Sequence, residues 1–107
     1  MLPTEFLQAA WIAMPMGHTF PAHAHVWHRN LSDDVLAQES WVVIRGRVMC
    51  SFFDLDDSLL STPILNPGDA SFTLAGGHTY KALDEETLVY EFKTGPYYGK
   101  QTDKRSI

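Results

Sequence analysis

The chain has 107 residues, 45% of them hydrophobic, with a single cysteine and a net charge of −5. That length makes one domain, residues 1–107, with apolar material enough for a core, and the lone Cys50 excludes a disulfide framework or a Cys-rich zinc site. The acidic balance, the eight scattered Lys and Arg residues, the lack of any apolar run near the ~20 residues of a membrane helix, and an N-terminus without the basic start of a signal peptide predict a cytoplasmic protein with neither a nucleic-acid nor a membrane partner.

Residues 6–14, from Phe6 to Met14, are apolar enough for an edge or intersheet strand. Edges of small sheets are commonly covered by a twofold partner, so a homodimer is expected. His23 and His25 stand at i and i+2, which on a strand puts both on one face. Pro21 breaks the alternation and leaves the face of His18 open, whereas His28, three residues beyond His25, falls on the opposite face. Ser32 could cap a helix over 32–39. Alternatively, Asn30-Leu31-Ser32-Asp33-Asp34 is a hairpin turn. We favour the hairpin, because centring it on residue 32 pairs position 25 with 39 and brings Glu39 beside the histidines.

Trp41-Val42-Val43-Ile44 and Val48-Met49-Cys50-Ser51-Phe52-Phe53 flank Arg45-Gly46-Arg47, which reads as a tight hairpin. A loop over 54–58 leads to a strand at 59–65, stopped by Asn66-Pro67-Gly68-Asp69. Strands over 70–74, 79–83 and 87–92 follow, separated by Gly76-Gly77 and Asp84-Glu85-Glu86. Period-two alternation with turns every eight to twelve residues predicts an all-β sandwich or barrel. Residues 93–107 form a C-terminal extension to a core over about 12–92.

The chemistry-bearing residues are His23, His25, Glu39 and His78. Three imidazoles and a carboxylate are a ligand set for one divalent metal ion, Zn, Fe, Mn or Ni. Glu39 has a competing reading as a rim carboxylate or a partner of Arg45 or Arg47, which would leave a three-histidine site with an open position. Trp41 shares the face of Glu39 and Tyr80 that of His78, so both are candidates for the wall of a ligand pocket. Arg29, on the hairpin, is a candidate anchor for an anionic ligand. Cys50 reads as a small buried strand residue.

These residues resemble the cupin superfamily. Gly17 stands five residues before His23, His25 follows, and Glu39 stands six residues before Gly46, as in the first cupin motif. Thirteen residues separate His25 from Glu39 where the motif has three or four. In the second motif Gly68 is followed by five residues and then Leu74-Ala75-Gly76-Gly77-His78, with Leu74 in place of proline and one residue fewer before the histidine. The resemblance implies an antiparallel jelly-roll barrel and a metal held by His23, His25, Glu39 and His78. Glu91-Phe92-Lys93-Thr94-Gly95-Pro96-Tyr97 looks like the ending of a group of small single-domain cupins associated with surface-polysaccharide and sugar-nucleotide pathways. Two functions follow as expectations: a metal-dependent enzyme, isomerase- or oxygenase-type, acting on a small carbohydrate or organic acid, or a non-catalytic module that binds a small ligand or metal.

Overall fold

A computed structural model describes the backbone of residues 5–25, 27–28, 35–36, 38–94 and 104–107, and the side chains of 5–20, 38–94 and Ile107. Among them are twelve strands and no helix. One sheet has the order β1-β11-β5-β9, from Leu7–Met14, Thr87–Thr94, Glu39–Arg45 and Ala70–Thr73. The other has the order β12-β2-β10-β6-β7, from Lys104–Ser106, Thr19–His25, Gly77–Ala82, Val48–Phe53 and Leu59–Ser61, with β8 (Ile64–Leu65) also on β6. β3 (Trp27–His28) and β4 (Val35–Leu36) pair with each other. Every pairing is antiparallel, and the architecture is the expected jelly-roll barrel.

Three connections differ from the sequence reading. Arg45-Gly46-Arg47 is not a hairpin: β5 and β6 belong to opposite sheets, and the turn is a corner between them. Gly46 is required there, because φ is +78° and any Cβ at this position would lie only 2.5 Å from Thr87 Oγ1. Asp84 grips Arg47 through two 2.9 Å hydrogen bonds, and Arg45 Nε donates to the Glu86 carbonyl, so the corner closes on the loop before β11. The single strand expected over 59–65 is two, β7 and β8. Pro63 stands between them and lacks an N–H, but its carbonyl accepts from Cys50 N at 2.9 Å, so both pieces stay on β6.

The third difference concerns Glu39. A hairpin stem is present rather than a helix, with Trp27 opposite Leu36 and His28 opposite Val35; its turn lies outside the described residues. This register is one residue off the expected one, and extending it would set position 25 against 38. Glu39 instead pairs with Lys93 and Thr73, in the sheet facing the one that holds His25.

The ladders divide the barrel interior along its length. Met14, Val43, Val48, Leu65, Ala82 and Val89 fill one end with a dry core. Toward the other end the same strands carry Gln8, Glu39, His78, Glu91 and Lys93 at inward positions. Period-two alternation makes this possible, since a strand keeps one face inward while the chemistry of that face changes along it.

Candidate metal centre and ligand cavity

Gly76 turns the chain into β10 with φ at +85°, and a Cβ there would collide with the Phe53 carbonyl. Two residues on, His78 is fully buried. Its Nδ1 is 2.8 Å from Thr73 Oγ1 and 3.4 Å from the Tyr80 hydroxyl, which is in turn 3.2 Å from Ser71 Oγ. Thr73 and Ser71 come from β9, so this hydroxyl cluster ties the two sheets together. Glu39, only 6% exposed, brings Oε1 to 3.7 Å from His78 Nε2. That distance is near the roughly 3.4 Å that two donors at a tetrahedral angle on one ion take with bonds of about 2.1 Å. With Nδ1 engaged by hydroxyls, Nε2 is the nitrogen turned toward the carboxylate.

Beside this pair lies a cavity of about 300 Å³, lined by Gln8, Ile12, Phe20, Glu39, Trp41, Tyr80, Glu91 and Lys93 among others. Trp41 and Tyr80 stack in parallel, 3.8 Å between ring centroids and 3° between planes, and Phe20 meets the indole edge-on. The indole Nε1 donates to Glu91 Oε2 at 2.9 Å, which satisfies the one polar atom of a buried tryptophan and fixes the carboxylate. Burial, and then the nearby Glu39 charge, push the Tyr80 phenol well above its ordinary value, so it acts as a neutral hydroxyl.

Trp41 and Tyr80, the candidates for the wall, both line this cavity. Glu91 and Lys93 are site residues that the sequence reading misses. Their signal is the alternation of β11, where Val89 marks the core face and 91 and 93 must share it. Thr73 and Ser71 carry no sequence signal of their role. His23 lies on β2, and its backbone is in register with His78. The side chains of His23, His25 and His28, and Arg29 altogether, lie outside the described residues. Among the described residues, no three His, Cys, Asp or Glu side chains gather as a metal cluster. His18 is exposed and sets its ring edge-on against Phe20 at 5.1 Å. Cys50 is buried in the core, where desolvation pushes its thiol up to about 12.

No protein-family model matches the sequence. No curated protein matches it significantly either. Solved structures do share the fold. KdgF from Halomonas sp. is 21% identical over 85% of this chain and 71% of its own, with a TM-score of 0.67. The capsular polysaccharide assembling protein CapF from Staphylococcus aureus is 14% identical, with a TM-score of 0.77 over 99% of this chain and 28% of its own. Oxalate decarboxylase from Bacillus subtilis is 15% identical, with a TM-score of 0.73 over 97% of this chain and 24% of its own. The chain thus spans under a third of the last two. These neighbours are cupin-fold proteins, and the chain is an antiparallel jelly-roll barrel of the same kind.

Proposed function

We propose that the chain is a small metal-binding cupin in which His23, His25, Glu39 and His78 hold one divalent ion, and that it is a metal-dependent enzyme acting on a small carbohydrate or organic acid. The observation that carries this reading is the buried Glu39–His78 pair, 3.7 Å apart at the edge of a cavity with both polar and apolar walls. The backbone register of His23 with His78 supports it, because residues opposite one another in an antiparallel ladder belong to one face of the sheet. A bound ion would supply Lewis acidity toward a carbonyl or hydroxyl. The chain's own groups would do the rest. Trp41 and Tyr80 give a flat apolar wall, while Glu91, held by the indole, and Lys93 are groups able to accept or donate a proton. A pure binding module would have apolar walls alone, so this lining favours the enzyme over the module. The likeness of the 91–97 segment to cupins of sugar-nucleotide pathways, a cytoplasmic location and a homodimeric assembly complete the proposal.

Metal analysis and calorimetry test it. His25→Ala should remove most of the affinity for Zn or Mn and His28→Ala should change little. Affinity should fall as pH drops through about 6.5, since protonated imidazole cannot ligate. Equal indifference to both substitutions would refute the metal site and leave the binding module.

A further inference from the structure

The metal reading leaves Lys93 unexplained. It is only 9% exposed and lines the cavity from β11. The ladders set it in one cross-strand row with Gln8 on β1, Glu39 on β5 and Thr73 on β9, and the next row carries Glu91 opposite Trp41. Lysine is almost never buried unless an opposite charge balances it. Glu39 stands directly opposite, yet it also lies 3.7 Å from His78 as the proposed carboxylate ligand. A carboxylate given to a divalent ion no longer balances a lysine. Among the described residues, the charged groups lining the cavity are Glu39, Glu91 and Lys93. With an ion on neutral imidazoles and Glu39, the two positive charges of the ion and that of Lys93 meet two carboxylates, and one positive charge is left over. An uncompensated charge in so sheltered a site is unfavourable, and a bound anion removes it.

We infer that the cavity takes a hydroxylated carboxylic acid of single-ring size, with its carboxylate on Lys93 and a hydroxyl on Glu91; the inference rests on the metal reading above and names its substrate class. A lysine ammonium donates and cannot accept, so a ligand carboxylate is its strongest partner. An ionised Glu91 accepts at several sites and cannot donate, and the Trp41 indole fixes its Oε2 at 2.9 Å, so ligand hydroxyls are what it recognises. Ile12, Phe20 and Trp41 supply apolar contact for the carbon skeleton. At about 300 Å³ the cavity lies at the small end of ligand pockets. A neutral sugar would satisfy Glu91 and leave the excess charge. A plain acid would cancel the charge and offer Glu91 no donor. A hydroxylated acid does both.

The test is calorimetry on the full chain, zinc-loaded and metal-stripped, with glucuronate, glucose and cyclohexanecarboxylate as probes. These carry both groups, the hydroxyls alone and the acid alone. The loaded chain should bind glucuronate roughly 10-fold or more tightly than either of the others. Lys93→Met should remove the advantage over glucose, and Glu91→Gln the advantage over cyclohexanecarboxylate. Stripping the ion should weaken glucuronate binding more than glucose binding. Metal content is measured in the same samples. A chain that takes up no zinc overturns this inference and the metal reading together. A loaded chain that binds glucuronate no better than glucose, or a Lys93→Met variant that binds it as well as the natural chain, overturns the inference alone. If the variants do not fold, the Lys93 Cε resonance of the natural loaded chain reads the same contact. A shift with glucuronate and cyclohexanecarboxylate but not with glucose supports the inference; no shift, or an equal shift with glucose, refutes it.

Discussion

His78 shows how much of the site is decided by a residue with no chemistry of its own. A metal-binding Nε2 requires the proton on Nδ1, where it donates to Thr73 Oγ1 at 2.8 Å. Replacing Thr73 by Val removes the shorter hydroxyl contact of that buried nitrogen and leaves it the Tyr80 hydroxyl at 3.4 Å. Stability in urea should fall by about 1–3 kcal/mol, and metal affinity by roughly 10–100-fold; Thr73→Ser should restore both. Cys50 makes the opposite case, a reactive group kept inert by its surroundings. Desolvation raises its thiol from 9.0 to about 12 in the native state. The raised value means that the folded chain favours the protonated thiol. Its contribution to stability is therefore complete below pH 9 and is lost as pH climbs toward 12. A thiol-reactive disulfide at pH 8 should label Cys50 only after unfolding, and in Cys50→Ala the decline in stability between pH 9 and 11 should be smaller. Fast labelling of the native chain would contradict the buried placement.

At the scale of strands, alternation identifies which residues look inward but not which sheet holds them. Trp41 and Tyr80 are legible because each shares a face with a recognisable residue, Glu39 or His78. The corner at Gly46 is not, because a short glycine turn followed by alternating residues looks the same whether the next strand pairs with its predecessor or crosses to the facing sheet. Glu39 illustrates the cost of that ambiguity. Spacing alone carries it to the histidines along a hairpin, and the fold brings it to His78 across the barrel instead, from β5 to β10. Thr73 and Ser71 are illegible because their role depends on an intersheet contact that no local spacing encodes. The corner itself is testable. Gly46→Ala forces a Cβ onto a left-handed backbone, which alone costs about 1–2 kcal/mol, and presses it into Thr87. The loss should exceed that figure in urea denaturation. A neutral substitution would mean that the corner relaxes and does not hold β5 and β6 apart.

Over the whole molecule, the apolar core and the proposed site occupy different ends of one barrel. The end built from Val43, Val48, Ala82 and Val89 is fully dry. The end built from Glu39, His78, Glu91 and Lys93 keeps ionisable groups in or beside a cavity, an arrangement that packing alone would not favour. The two ends should then answer substitution in opposite ways. Val89→Ala removes two methyl groups from a site with no solvent exposure. It should cost about 2 kcal/mol and lower Tm by on the order of 10 °C, while metal affinity measured well below Tm stays within about twofold. Glu39→Gln keeps the shape of the side chain and removes a buried charge, so its effect on Tm should be small. If Glu39 is a ligand, metal affinity should drop sharply; if it serves as an acid or base, the metal should stay bound and activity should fall. Parallel losses of stability and affinity in both variants would show that the barrel behaves as one cooperative unit, and that the division between its ends has no energetic meaning.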